Sequence, residues 1–375
     1  MTARTAVNET HAPGVRETVS DVLVVAGFGS TQHGSVRTDK IRAHLQPLAL
    51  ATREVTYISP CRDPGVPAIE FRSVGGRSRL FRILNQFVYT LASARNGRYE
   101  AIISFSLIPY GLIALLAKTV SGRPAHLGII GMDLDVHASS WYGWVIRWLF
   151  RRFDTISVAS SIHRQRLLSM GVPADRVFVI SHPVDEAYVN ARRMTDPTYD
   201  LLWIGRMSRE KDPIRFVTVV RELVHRGVPC RAAMVGDGPL LADVRSAVTA
   251  HDLEGVIDVP GWSDDPISWY EQSRLFVSTA EREMLPLTIV EAMAVGVPPV
   301  APAVGGIPDV VSSPECGVIV RNRDSGTYAD AIAEVLVDPA RLRRMSAHAQ
   351  DVGRSLTIDA VARSWIPVLD TLSGR

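Results

Sequence analysis

Short apolar runs alternate with stretches of helical periodicity along most of the chain. "DVLVVAG" (21–27), "REVTYIS" (53–59), "EAIISFS" (100–106), "AHLGIIG" (125–131), "DTISVAS" (154–160) and "DRVFVIS" (175–181) read as buried strands, with helices between most of them. The polar, Pro-containing stretch "HPVDEAYVNARRMTDPTYD" interrupts this pattern, and the alternation then restarts. "LLWIGR" (201–206), "RAAMVGDG" (231–238), "GVIDVPG" (255–261), "RLFVSTA" (274–280), "PPVAPAV" (298–304) and "CGVIV" (316–320) are the strands of the second half. Such alternation predicts an α/β chain of two doubly wound, Rossmann-like domains, residues 21–182 and 183–357. Ligands of these sheets bind beyond the carboxyl ends of the strands, so functional residues are expected there. The first twenty residues are polar and are expected to form a disordered tail.

Composition narrows the class. With 375 residues, 46% of them apolar, the chain can fill two cores. A net charge of +2 without a dense Lys/Arg run gives no field for bulk nucleic-acid binding. Cys61, Cys230 and Cys316 have neither the number nor the spacing of a disulfide framework or a zinc site, which fits a reducing cytoplasm. No run reaches the roughly 18–20 apolar residues of a membrane-spanning helix.

Chemistry concentrates in the second half. In "EREMLPLTIVEAMAVG" (281–296), Pro286 suits a helix start and Gly296 a stop, so Leu287 to Val295 reads as a helix. It is apolar all round and should be buried, with Glu291 its single charge and Glu283 on the loop before it. A carboxylate in so apolar a stretch needs a cation, several donors or a ligand. In "LLWIGRMSREK", Arg206 and Lys211 lie just past a strand tip and beside a helix start, an arrangement that suits an anion or, more plainly, a solvated pair. Gly236 and Gly238 of "VGDGP" allow close backbone approach to a ligand, or simply make a turn. Trp262 in "PGWSDD" either receives a flat base or packs in the core, the commoner fate of a Trp.

Taken together, "GRMSREK", "VGDGP", "EMLPLTIVEAMAVGVPPVAPAVGGIPDVV" and "HPVD" resemble the signature segments of retaining family-4 glycosyltransferases of the GT-B fold (glycosyltransferase group 1). The likeness covers residues 200–320 in order and spacing, and is looser in the first half. It implies a hexosyltransferase-type enzyme that moves a sugar from a nucleotide diphosphate sugar to a hydroxyl acceptor: a glycan, a lipid-linked sugar or a small molecule. By the same resemblance, Arg206 and Lys211 hold the diphosphate and stabilise the charge that grows on it. Glu291 accepts from the ribose hydroxyls, Glu283 sits at the transferred sugar, and the N–H groups of Leu287 and Thr288 add donors to the phosphates. The terminal segment 358–375 is expected to cross back to the first domain as a helix. Two departures stand out: Met284 replaces the usual Gly, and Ala280 a common Ser.

The first half carries fewer signals. The loop with Gly27, Gly29 and Gly34 lacks the dinucleotide spacing; the resemblance aims it at the sugar and diphosphate, and a plain flexible loop is the other reading. "GIIGMDLDVH" has Ile130 where many relatives carry His. Asp133 matches an acidic residue of the family and is assigned to the acceptor hydroxyl, whereas Asp135 reads as a helix cap. Because Arg206 and Lys211 supply the positive charge, no metal and no cofactor are expected. Two basic, aromatic segments, 78–98 and 141–153, suit either a membrane surface or core packing. For the face of Trp141, Trp144 and Trp148, core packing is the expectation. The reading is thus a cytoplasmic glycosyltransferase, with peripheral contact at the inner face of a membrane as its minority form. Its alternatives are a nucleotide-sugar hydrolase or epimerase and a weakly active sugar-nucleotide-binding subunit.

Overall fold

The structure, a computed structural model, describes residues 21–26, 38–60, 63–130, 134, 138, 140–285 and 287–374. The expected tail over residues 1–20, the loop 27–34 with Gly29, the Asp133 and Asp135 pair, and Pro286 lie outside the described residues. The chain divides into two compact units. Met1–Ser157, Gly171–Phe178 and Val361–Arg375 make the first, Val158–Met170 and Val179–Ala360 the second.

The first sheet is built from β1 (Asp21–Val25), β2 (Glu54–Ser59), β3 (Ile69–Ser73), β4 (Ala101–Phe105), β5 (Ala125–Ile129), β6 (Thr155–Val158) and β7 (Val177–Val179), in the order β3-β2-β1-β4-β5-β6-β7. Helices α1 (Thr38–Ala51), α2 (Arg79–Arg95), α3 (Leu112–Ser121) and α4 (Gly143–Phe150) accompany it, while α5 (Ser161–Ser169), between β6 and β7 in the chain, belongs to the second unit. Strands β1, β4 and β5 are buried throughout, which is why they read as unbroken apolar runs. The edge strand β3, "IEFRS", pairs in parallel with β2 but is only half covered, so it has no apolar run to announce it. His126 of β5 is fully buried between the hydroxyls of Thr155 (2.8 Å) and Ser157 (2.9 Å). Burial pushes its imidazole down to about 3, so it stays neutral.

One helix of this unit departs from expectation, and a second decides between two readings. On α4 the face of Trp141, Trp144 and Trp148 was expected in the core, yet all three side chains are exposed, Trp141 at 90%. Ile146 and Phe150, one turn apart on the opposite face, are the large side chains that the helix buries, with Phe153 buried just after it. On α2 the buried residues are Gln86, Thr90, Ser93 and Ala94, while Phe81, Val88 and Tyr89 are exposed. Gln86 is drawn inward because its amide N–H donates to the carbonyls of Ala26 (3.1 Å) and Ile58 (2.8 Å) at the ends of β1 and β2.

The second sheet has six strands: β8 (Tyr199–Ile204), β9 (Ala232–Val235), β10 (Ile257–Gly261), β11 (Ser273–Val277), β12 (Pro299–Pro302) and β13 (Val318–Val320). They run β10-β9-β8-β11-β12-β13, and every pairing is parallel. Around them stand α6 (Glu186–Asn190), α7 (Pro213–His225), α8 (Leu241–Ala250), α9 (Pro266–Glu271), α10 (Leu287–Val295), α11 (Ile307–Val310), α12 (Ser325–Leu336) and α13 (Pro339–Ser355); α14 (Ile358–Ser373) follows and belongs to the first unit from Val361 on. Alternation along β8 sorts two cores: Leu201 and Trp203 join Phe216 and Tyr328, while Leu202 joins Ile289 and Met293. Helix α10 spans the residues that Pro286 and Gly296 bracket, and Gly296 closes it at φ +94° with its N–H on the Met293 carbonyl (2.9 Å). Trp365 of α14 lies edge-on to Phe105 and His126, within the first unit.

Candidate active site

Because the second sheet is all parallel, the loops after β8, β9, β10 and β11 leave it at one edge, and the candidate residues of this unit sit on them or on α10 beyond β11. Backbone hydrogen bonds lace the first three loops together. Gly205 N–H donates to Val235 O (3.1 Å), Met207 N–H to Asp237 O (2.9 Å), Leu240 N–H to Met207 O (2.9 Å) and Gly236 N–H to Gly261 O (2.7 Å). The contact is close enough to exclude side chains. A Cβ on Gly236 would lie 1.9 Å from the Gly205 carbonyl oxygen, and one on Gly238 2.5 Å from that of Met207. What these glycines approach is therefore the backbone on either side of Arg206. Arg206 stands exposed between the two tied residues.

Lys211 ends a short 3-10 turn, Arg209–Lys211, and is followed by Asp212 at φ +48°, a left-handed conformation that costs a non-glycine residue about 1–2 kcal/mol. Several contacts hold it there. The Asp212 carboxylate accepts from Arg215 Nε (2.6 Å) and Arg323 (3.1 Å), and it caps α7 by accepting from Arg215 N–H (3.4 Å). The Thr279 hydroxyl, at the end of β11, accepts from Trp203 Nε1–H (3.1 Å) and lies 2.8 Å from the Asp212 carbonyl and 3.1 Å from that of Lys211. From this fixed backbone the Lys211 ammonium reaches the Glu283 carboxylate in a close ion pair.

Glu283 is held from behind by β12's following turn. Gly306 N–H donates to Met284 O (2.6 Å), and Gly305, at φ +54°, sits so near that an added Cβ would lie 1.4 Å from the Glu283 carbonyl oxygen. Glu291, half-buried on α10, has a phenol as a partner. The Tyr270 hydroxyl lies 3.0 Å from Glu291 Oε2 and 3.2 Å from the Thr288 carbonyl. Burial, and then the neighbouring carboxylate, raise the Tyr270 phenol well above its ordinary value, so it remains a donor. Leu287 and Thr288 occupy the first turn of α10, whose N–H groups have no partner inside the helix.

Trp262 follows β10 and is exposed, which removes the core alternative of the two sequence readings; its Nε1–H donates to Asp264 (2.8 Å). The structure thus joins Lys211 to Glu283, ties the Arg206 loop to the turn of Gly236 and Gly238, and places Glu291 one turn after Leu287 and Thr288. Gly29 and Asp133 lie outside the described residues. Tyr270, Thr279, Asp212 and Gly305 were not singled out from sequence. Only Asp212 had a local signal, an Asp-Pro step that starts a helix.

Comparison with known proteins gives the family. The model of the glycosyl transferases group 1 matches residues 186–352, and that of the glycosyl transferase 4-like domain residues 13–183. The putative colanic acid biosynthesis glycosyltransferase WcaL of Salmonella typhimurium is 27% identical over 279 residues, 70% of this chain and 69% of that protein. D-inositol 3-phosphate glycosyltransferase of Mycolicibacterium smegmatis is 33% identical over 230 residues, covering 56% of this chain and 52% of that protein. Among solved structures, HepE of Anabaena in complex with UDP superposes with a TM-score of 0.76 at 16% identity, over 95% of this chain and 100% of that one. The apo lipopolysaccharide outer core galactosyltransferase WaaB gives 0.70 at 13% identity, over 92% and 98%. At such identities the two structures speak for the fold alone, which is that of two parallel Rossmann-like sheets. With both halves matched by glycosyltransferase models, the chain belongs to the group 1, family-4 glycosyltransferases, GT-B enzymes that move a sugar from a nucleotide sugar to an acceptor.

Proposed function

We propose that the second unit binds a nucleoside diphosphate sugar at the carboxyl edge of its sheet, and that the sugar passes, with retention and without a metal, to a hydroxyl of a glycan or lipid-linked acceptor. The observation that carries this reading is the Lys211–Glu283 ion pair, fixed by the neighbouring backbone before any ligand arrives. Lys211 and Arg206 grip the diphosphate and offset the negative charge that grows on it as the glycosidic bond breaks. Glu283, already beside Lys211, faces the sugar. Glu291 takes the ribose hydroxyls, and the N–H groups at the start of α10 complete the phosphate cradle. Trp262, exposed after β10, receives the base, and the turn of Gly236 and Gly238 supports the Arg206 loop at the donor. The family resemblance alone assigns Gly29 to the donor and Asp133 to the acceptor hydroxyl. In the retaining route the departing phosphate oxygen takes the acceptor proton, so no separate carboxylate base is needed.

The relatives favour the same substrates. The HepE structures contain UDP, UDP with glucose, and UDP-glucose, which makes UDP-sugars the first donors to try, and WcaL is named for colanic acid biosynthesis, which favours a glycan acceptor. In this reading the enzyme works in the cytoplasm and takes no nucleic acid as partner. Among the described residues no helix is long and apolar enough to cross a membrane.

Product analysis with UDP-, GDP- and ADP-sugars, crude glycan or lipid acceptors and EDTA tests the reading. Glycosylated acceptor is expected from one donor class, with the rate unchanged by EDTA. Free sugar as the sole product, or activity that needs added Mg²⁺ or Mn²⁺, would contradict it. Tyr270→Phe checks the ribose assignment: loss of the hydroxyl that orients Glu291 is expected to raise the donor KM about fivefold, about 1 kcal/mol, with kcat nearly unchanged. The preference for a ribose over a 2′-deoxyribose donor should shrink in parallel. A fall in kcat at constant KM and constant preference would remove Tyr270 from this role.

A further inference from the structure

Helix α2 is folded inside out for a surface helix. Its inward face is polar or small, with Gln86, Thr90, Ser93 and Ala94 buried, while Leu80, Phe81, Leu84, Val88 and Tyr89 point outward. Water-facing helices ordinarily show the reverse, and an exposed apolar patch of this kind marks an interaction surface. The neighbouring helices extend it. The crossovers from β3 to β4, β4 to β5 and β5 to β6 all step the same way along the sheet, so right-handed connection places α2, α3 and α4 on one face. Helix α2 packs along α3, and α3 is tied to the end of α4 by Lys118 Nζ, which donates to the Arg152 carbonyl (2.9 Å). Leu116 and Val120 of α3 are exposed beside α2, and the indoles of Trp141, Trp144 and Trp148 are exposed on and just before α4.

Charge says what covers this face. Residues 70–154 hold eleven Lys and Arg against five Asp and Glu, in a chain whose net charge is only +2; Arg72, Arg98 and Lys118 are paired with Glu70, Glu54 and Asp154, and the remaining cations keep the segment basic. Helices α2, α3 and α4 contain Arg79, Arg82, Arg95, Lys118 and Arg147 and no acidic residue. The guanidinium of Arg152 lies 4.4 Å from the centre of the Trp148 ring, so cation and indole sit at one level. Two copies of this chain meeting through the same face would set like charges against each other. An anionic lipid surface satisfies both properties at once, since aromatic and aliphatic side chains enter the headgroup boundary while arginines meet lipid phosphates. We infer that the outer face of α2, α3 and α4 is a docking surface for an anionic phospholipid bilayer. This deepens the proposed function by making the acceptor a lipid-linked one, met at the bilayer. The surface itself rests on the exposed helices and not on the donor site.

Vesicle co-sedimentation of the full chain, run without any donor, tests it apart from the donor reading. With phosphatidylcholine vesicles containing phosphatidylglycerol, pelleting is expected to be at least about tenfold stronger than with phosphatidylcholine alone and to weaken in high salt. Tryptophan emission should shift to the blue on binding. The double variants Phe81→Ser with Val88→Ser, and Trp144→Ser with Trp148→Ser, replace exposed side chains and should fold while losing vesicle binding by about the same factor; a circular-dichroism melt confirms folding. Absence of pelleting with every vesicle overturns the inference. So does equal binding by the folded variants, or a dimer in light scattering that these substitutions dissolve while vesicles stay unbound, which would make the face a self-interface.

Discussion

Lys211→Ala is expected to lower kcat about 10²–10³-fold, equivalent to about 2.7–4 kcal/mol of transition-state stabilisation. The size follows from preorganisation. The backbone of Lys211 is fixed by the Thr279 hydroxyl and by Asp212, so the ammonium need not be gathered from solvent when negative charge develops on the leaving diphosphate. Removing it also leaves the largely buried Glu283 carboxylate without its ion-pair partner. A second variant separates these effects. Lys211→Arg keeps the charge but replaces a point donor by a planar fork, and is expected to recover part of kcat and most of the donor affinity. Steady-state kinetics at saturating donor and acceptor is the measurement. A Lys211→Ala enzyme within about threefold of the parent kcat would mean that the charge is not used in the transition state.

Gly305→Ala should be nearly as damaging although the residue has no chemistry of its own. Its Cβ would fall 1.4 Å from the Glu283 carbonyl oxygen, so the loop that carries Glu283 must move, and the φ of +54° adds about 1–2 kcal/mol for any residue with a side chain. We expect kcat/KM to fall at least about tenfold, a loss of at least about 1.4 kcal/mol in transition-state stabilisation, with a lower Tm. Gly227→Ala supplies the control. Gly227 has a φ of +71° and nothing within 4 Å of an added Cβ, so it carries the backbone strain without the collision. If both substitutions lower Tm but only Gly305→Ala lowers kcat/KM, the effect is displacement of Glu283. Equal kinetics in the two variants would contradict it.

Much of the second unit was legible in sequence because its inner strands are largely buried on both faces. Continuous apolar runs such as "LLWIGR" and "RLFVSTA" have little else to be, and Pro286 with Gly296 delimits α10 by local backbone chemistry alone. Edge strand β3 was missed for the converse reason: half-covered, its side chains need no apolar pattern. Lys211 and Glu283, 72 residues apart in sequence, could be suspected separately, but their pairing is a product of the parallel sheet. Tyr270 left no sequence trace as the partner of Glu291, since one buried aromatic on a short helix resembles any other. The glycines of "VGDGP" were legible as special positions, and the structure supplies what they approach, the carbonyls of Gly205 and Met207. The aromatic face of α4 misled the core assignment, and that of α2 fitted surface or core equally, because amphipathic pattern shows that a helix has two faces and not which of them meets the sheet. On α2 the buried amide of Gln86 decides it; on α4, Ile146 and Phe150 do.

The central claim is that Lys211 and Glu291 hold opposite ends of one nucleoside diphosphate. Diffraction from crystals grown with the nucleotide that binds most tightly tests it most directly. A diphosphate oxygen within hydrogen-bonding distance of Lys211 Nζ, and the ribose hydroxyls on the Glu291 carboxylate, are the expected result. A nucleotide bound elsewhere, with the Lys211–Glu283 pair untouched and Glu291 facing only protein, would contradict the account.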